Sequence, residues 1–305
     1  MAQAEIQADI EISVPSTRAT GIAGVFQFLN RWPVIPGVIL SVMVIVALFA
    51  PWVSPHSPYE NNLRARNTPP VWYEEGGSWS YPLGADTIGR DLLSRLIYGA
   101  RISLMVMAIA LITGTIVGTA LGLIAGYFGG LIDEVIMRLV DIFLGIPFVL
   151  MAMAVAVVMG ASLTTMMVML ALLTWSGFVR NVRGEVLSLR ERDYVALARV
   201  AGASLPRILV IHILPGVINT VVVIATLRSG QLILAEAFLS FIGAGIPPPT
   251  PTWGAMIADG RNYLRDAWWI SFFPGFAIFL TVMSLNFMGD WLRDKLDPRL
   301  RQLSS

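Results

Sequence analysis

The sequence contains no cysteine, a single lysine, two histidines and few charges of either sign. Without cysteine there is no disulfide, no thiolate nucleophile and no Cys-ligated zinc or iron–sulfur centre. His56 and His212 stand far apart, in different kinds of segment. No His-based metal cage is expected, and no metal ligand is assigned. The one lysine is Lys295, in Asp294-Lys295-Leu296. A phosphate-binding loop needs Gly-Lys followed by Ser or Thr, so this chain is expected to hold no nucleotide site of that kind. Only 13% of the 305 residues are charged, against roughly a quarter in soluble domains. The net charge of +1 offers no basic face to a nucleic-acid backbone. These shortages argue against a soluble enzyme, a disordered chain and a nucleic-acid binder. No His-Glu-x-x-His sequence, mid-span Ser/His pair or paired aspartates occur either, so no catalytic residue is assigned.

What the chain has in abundance is apolar residues, at 56%, with a mean hydropathy of +0.71. They fall in blocks. Stretches free of Asp, Glu, Lys and Arg run from Trp32 past Val53, and over Ile102–Ile132, Ile142–Val179, Ile208–Leu227 and Ala267–Gly289. A membrane span takes about 20 mostly apolar residues. Ile142–Val179 is too long for one span, and Gly160-Ala161-Ser162 divides it. Six spans are predicted, near 33–53, 102–126, 135–159, 163–180, 210–234 and 268–289. Continuous apolar runs specify helices rather than the alternating ten-residue segments of a β-barrel. The expected fold is an all-α membrane protein in contact with lipid.

Met1 to Ser13 carries Glu5, Asp9 and Glu11 without a basic or apolar leader region, so it reads as a tail rather than a signal peptide. Ile22 to Trp32 is amphipathic and reads as an interfacial lead-in. The expected organisation is therefore a cytoplasmic tail and lead-in over 1–31, a six-span domain over 32–290 and a cytoplasmic tail over 291–305. Within the domain lie an outer loop 54–101, an inner loop 181–209 and an outer loop 235–267. With both termini inside, thirteen Arg and Lys fall inside and seven outside, with Arg228 within a span. That excess favours cytoplasmic termini.

Five features carry further information. In the first outer loop, Ile88, Leu92, Leu93, Leu96 and Ile97 are helically spaced opposite Arg90, Asp91, Ser94 and Arg95. The pattern predicts a helix lying on the membrane surface. In the second span, Gly114, Gly118, Gly122 and Gly126 form a smooth ridge for close helix packing. In the inner loop, Tyr194, Leu197, Ala198 and Ala201 share one helical face, and Gly202 suits a left-handed helix terminus. Such a short helix suits a groove on another protein. Finally, Glu134, Arg138 and Asp141 can pair along one helix face. Arg228 lies deep enough in the fifth span to require a hydrated cavity or an acid such as Glu236, which makes it a pore-lining candidate.

The inner loop also carries a resemblance. Ala198, Gly202, Leu214 and Pro215 match, at the right spacing, the EAA loop of binding-protein-dependent ABC importers. Ala196, Leu197 and His212 stand where that motif usually has Glu, Ala and Ile. Further segments resemble the C-type subunit of the dipeptide, oligopeptide and nickel permeases. They are Pro82-Leu83-Gly84-Ala85-Asp86 with Gly89-Arg90-Asp91, Tyr98 to Leu104, Leu239 to Gly243, Trp253-Gly254 and Asn286 to Arg299. The likeness runs in register from about residue 30 to 301.

The resemblance implies a type I ABC importer permease in a bacterial cytoplasmic (inner) membrane. It would form half a pore with a homologous second permease subunit. Two ATPase subunits would carry the ATP and Mg, leaving no cofactor on this chain. They would grip the loop helix, with Tyr194, Leu197, Ala198, Ala201, Gly202, Leu214 and Pro215 as the coupling residues. An extracytoplasmic substrate-binding protein would deliver the cargo, expected to be peptides. Nickel chelates, glutathione and oligosaccharides are the alternatives within that branch. An ion-coupled secondary transporter is the remote alternative, disfavoured because the charges sit near span ends rather than in a row at the midplane.

Overall fold

The computed structural model describes residues 33–296. The predicted tail and lead-in over 1–31 lie outside the described residues, as do Arg299 and Arg301. Ten helices are named here: α1 (Val34–Leu48), α2 (Ala50–Val53), α3 (Leu92–Phe128), α4 (Gly130–Gly145), α5 (Phe148–Met159), α6 (Leu163–Leu189), α7 (Asp193–Val200), α8 (Leu205–Phe241), α9 (Trp253–Gly260) and α10 (Trp269–Leu296). No strand occurs among the described residues.

Four helices, α3, α6, α8 and α10, are long and apolar enough to cross a membrane by themselves. The bent pair α4–α5 makes a fifth candidate, and α1 is a shorter apolar helix. The predicted span 135–159 is therefore corrected: it is two helices that meet at 91°. The break falls at Ile146-Pro147. Pro147 has no N–H for the ladder and disfavours helical geometry in the residue before it. The surface helix expected around residues 88–97 is also corrected. Leu92 begins α3, which runs without interruption to Phe128. Ser94 and Arg95, on its polar side, are as buried as Leu92 and Ile97. That polar side is covered by carboxylates, which no pattern of hydropathy reports.

Local chemistry sets the helix ends. The Asp91 carboxylate accepts from the Ser94 N–H at 2.9 Å and so caps α3. Gly129 (φ +65°) and Gly130 (φ +53°) turn the chain from α3 into α4. Ser162 Oγ accepts from the Thr165 N–H at 3.0 Å at the start of α6. Within α8, Ile208–Ile213 is π-helical, directly before Leu214-Pro215. Proline lacks the N–H that would continue the α ladder, and a π turn is one way a helix absorbs that loss.

The glycine ridge sets the packing of α3 on α6. A β-carbon on Gly114, Gly118, Gly122 or Gly126 would meet Thr174, Phe178, Val182 or Val186 of α6, at 2.6, 2.6, 2.8 and 2.7 Å. Each glycine faces the residue sixty positions further on, so α3 and α6 run parallel in fixed register. Real β-carbons do not approach so closely, and only glycine lets these backbones meet. α6 continues past residue 180 to Leu189 and brings Val182 and Val186 into a cluster with Val195, Ile208, Ile213 and Val217. This places α7 against the ends of α6 and α8.

Candidate functional site

The short helix α7 is held on one side and open on the other. Val195 is fully buried among Val182, Val186, Ile208 and Ile213. The Arg199 guanidinium lies 5.1 Å from the centre of the Tyr127 ring at the end of α3. Arg190 Nη1 donates to the Gly126 carbonyl at 2.9 Å. α7 is thus tied to α3, α6 and α8 together. Outward it presents Tyr194, Leu197 and Val200, with Leu197 67% and Val200 87% exposed. Ala201 is exposed beside them, whereas Ala198 is half-buried at the edge of this surface.

The helix ends in a Schellman turn. Gly202 has φ +77°. The Gly202 N–H donates to the Arg199 carbonyl and the Ala203 N–H to the Ala198 carbonyl, both at 3.0 Å. No atom lies within 4 Å of the place a Gly202 β-carbon would take. Backbone conformation is thus what requires glycine here. Leu214 is half-buried and Pro215 exposed, both just past the π-helical turns.

Sequence reasoning missed Val195 and Val200. Val195 sits a third of a turn from Tyr194 and anchors the helix, while Val200 extends the exposed apolar face. The alternation of a buried valine with exposed apolar neighbours was not readable, because both sides of α7 carry apolar residues.

Arg228 lies in α8, and its guanidinium rests against α6. A β-carbon on Gly177 would come within 2.8 Å of Arg228 Nη2. Arg228 Nη1 donates to Gln231 Oε1 at 2.8 Å. The suggested pairing with Glu236 is not found. Glu236 is fully buried and accepts instead from Ser103 Oγ at 2.9 Å and Ser240 Oγ at 2.8 Å. Glu236 belongs to the contact between α3 and α8, about two turns along α8 from Arg228. No carboxylate pairs with Arg228 among the described residues.

The charges of α4 pair differently from the reading along one helix. Arg138 does meet Glu134, at 3.4 Å on the surface. Asp141, however, accepts from Arg180 Nη2 of α6 at 2.6 Å, and Asp133 accepts from Arg183 Nη2 at 2.6 Å. Two ion pairs thus fasten the bent helix to α6.

At the opposite end of the bundle, Asp86 is fully buried. Its Oδ1 accepts from the backbone N–H groups of Ile88 and Arg90, at 3.0 and 2.9 Å. Its Oδ2 accepts from the Arg90 and Arg95 side chains. Both arginines also reach Asp259 of α9, at 3.2 and 3.3 Å. This cluster closes the loop 54–91 onto the helices. Sequence reasoning noted Asp86, Arg90 and Arg95 but not Asp259, which lies 164 residues from Arg95.

The architecture is therefore a bundle of membrane-crossing helices with a small helix moored at one end and a charge-locked loop at the other. Residues 118–302 match the family described as the binding-protein-dependent transport system inner membrane component. Residues 28–70 match the N-terminal transmembrane domain of oligopeptide transport permease C. The chain belongs to this family of binding-protein-dependent transport components. It is a transport subunit rather than an enzyme, a multi-pass protein of the inner membrane and one component of a larger transporter complex.

Among its curated relatives, the di/tripeptide transport system permease protein DppC of Pseudomonas aeruginosa is 43% identical over 85% of this chain and 86% of that protein. The dipeptide permease DppC of Escherichia coli K12 is 42% identical over 90% and 91%. The glutathione permease GsiD of Pectobacterium atrosepticum is 39% identical over 87% and 81%. The fold is similar to that of an inward-facing MetNI methionine ABC transporter chain. The TM-score is 0.54 and the identity 19%, over 68% of this chain and 98% of that one.

Proposed function

We propose that this chain is the pore-forming permease subunit of an ATP-driven importer that moves short peptides, with α7 as the helix its ATPase subunits grip. The observation that carries the coupling role is the two-sided build of α7. One side is fixed by Val195 and Arg199, and the other exposes Tyr194, Leu197 and Val200 to water. Exposed apolar side chains on a well-anchored helix are the mark of a surface made to be covered. Force applied to that surface reaches α6 and α8 through the valine cluster. The reading includes cytoplasmic termini, a homologous second permease, two ATPases that carry ATP and Mg, and an extracytoplasmic binding protein.

Peptide cargo rests on the names of the dipeptide relatives; the glutathione relative favours a γ-linked tripeptide as the second reading. Arg228 is proposed to line the pore. A cation in a mainly apolar span, without a carboxylate partner of its own, is stable only beside water, substrate or another subunit. The test is uptake of labelled di- and tripeptides into vesicles that contain the whole transporter and its binding protein. ATP-dependent accumulation of these peptides supports the reading. Accumulation of glutathione but not of α-linked peptides selects the second reading, and uptake without ATP overturns both.

A further inference from the structure

A cavity of about 530 Å³ lies between α6, α8 and α10, toward the end of the bundle that carries α7. Polar groups are unusually concentrated there for a helix bundle so rich in apolar residues. Asn181 and Glu185 come from α6, Asn219 and Thr220 from α8 and Arg293 from α10. Asn181 is one helical turn from Gly177, where the Arg228 guanidinium rests, and Glu185 is one turn further. The three α6 positions therefore form a single file, and Gly177 and Glu185 are about 12 Å apart along the helix. Glu185 Oε2 is withdrawn from solvent and has no hydrogen-bond partner among the described residues. No ion pair joins Glu185 to Arg293, although both line the cavity.

A carboxylate oxygen left without a donor in a partly closed space is costly. A mobile cation would relieve it. At the other end of the file stands a guanidinium without a carboxylate. An anion in the cavity wall and a cation just beyond the lining residues, neither in an ion pair among the described residues, thus stand against one side of α6, at positions two turns apart. The molecule with the complementary pattern is a zwitterion with its charges at the two ends. An extended peptide advances about 3.5 Å per residue, so three or four residues cover the distance.

We propose that this cavity binds the α-ammonium group of a peptide in transit through Glu185, while Arg228 takes the carboxylate end. The inference rests on the peptide-importer reading and deepens it, because it assigns an orientation to the cargo: amino end toward α7. Asn181, Asn219 and Thr220 supply neutral donors and acceptors along the same wall. These suit the peptide backbone without selecting its side chains. A permease that handles many sequences needs this kind of site, since the termini are what short peptides share.

The absence of cysteine from the chain makes the test direct. Asn219→Cys is introduced into the assembled transporter. Its modification by a cationic and by an anionic methanethiosulfonate is followed on this subunit, each rate taken relative to that of a free thiol. The expected result is a cation preference of about fivefold, which one nearby charge in a wet cavity supplies, and its loss in Glu185→Gln. A tripeptide with a free amino end, at millimolar concentration, slows the labelling; its N-acetyl form does not. That comparison leaves Glu185 intact, so it decides the matter even where Glu185→Gln fails to assemble. Equal corrected rates for the two reagents, a preference that survives Glu185→Gln, or equal protection by the acetylated peptide overturns the ammonium site while leaving the importer reading in place. No labelling by either reagent shows that the cavity is closed to water, which overturns this site and the pore assignment beneath it.

Discussion

Arg95 Nη1 lies 3.3 Å from Asp259 Oδ2 and also donates to Asp86, so one nearly buried guanidinium joins α3, α9 and the loop before α3. Arg90 adds a second bond to each carboxylate. Removing one partner from a buried cluster strands the others without their charge.

Asp86→Ala is expected to destabilise the folded chain by about 3–5 kcal/mol. Thermal unfolding in detergent, followed with purified transporter, measures it. Asp259→Ala is expected to cost less, because that carboxylate is partly exposed. Equal melting temperatures for Asp86→Ala and the unaltered protein would show that the cluster is ornamental.

Gly118 and Gly122 are expected to tolerate no large side chain. A β-carbon on Gly118 would already stand 2.4 Å from the Trp175 carbonyl oxygen. Gly122→Leu or Gly118→Leu separates α3 from α6 and costs about 1–3 kcal/mol or more. Less assembled transporter is the expected outcome on size-exclusion chromatography. A fully assembled complex with altered substrate preference would mean that the ridge faces the pore.

Gly202→Val places a β-branched side chain at φ +77°. The left-handed region costs such residues roughly 1–2 kcal/mol, and no steric clash adds to it. The chain after α7 is expected to be redirected, with ATPase subunits recovered poorly beside a normally inserted permease. Gly202→Asn, which accepts that conformation more readily, is expected to retain most of the co-purification. Full recovery of ATPase and transport in Gly202→Val counts against the coupling role.

The two sides of α7 should separate by phenotype. Leu197→Asp and Val200→Asp alter exposed positions and are expected to leave unfolding unchanged while ATPase subunits are lost. Val195→Ala empties a packed site and is expected to cost about 0.5–2 kcal/mol of stability. ATPase recovery and melting curves on the same preparations check both. Coupling that survives both aspartates would place the gripping surface elsewhere.

Arg228→Met keeps length and apolar contact while removing charge. If Arg228 attracts a carboxylate, transport falls with ATPase still stimulated. If it holds a gate through another subunit, basal ATPase rises without substrate. Unchanged transport and unchanged basal ATPase would leave Arg228 a packing residue on Gly177.

The sequence by itself determined that this is a helical membrane protein without a Walker-type loop. Uninterrupted apolar runs of span length admit few other folds, and the chain lacks the residues such a loop requires. It also determined the glycine ridge and the left-handed end of α7, since spacing and the freedom of glycine are local properties. Tertiary structure decided the rest. The 91° bend at Ile146-Pro147 depends on how α4 and α5 pack, because a proline permits a bend without setting its angle. The partners of Asp141, Arg95 and Glu236 lie on other helices, and periodicity along one helix cannot reveal them. The inward side of α7 became Val195 only through the valines of α6 and the π-helical start of α8. Arg228 and Glu185 come to the same side of α6 by the register of α8 against α6, which sets the Arg228 guanidinium on Gly177. That register is a consequence of packing, and no stretch of sequence contains it.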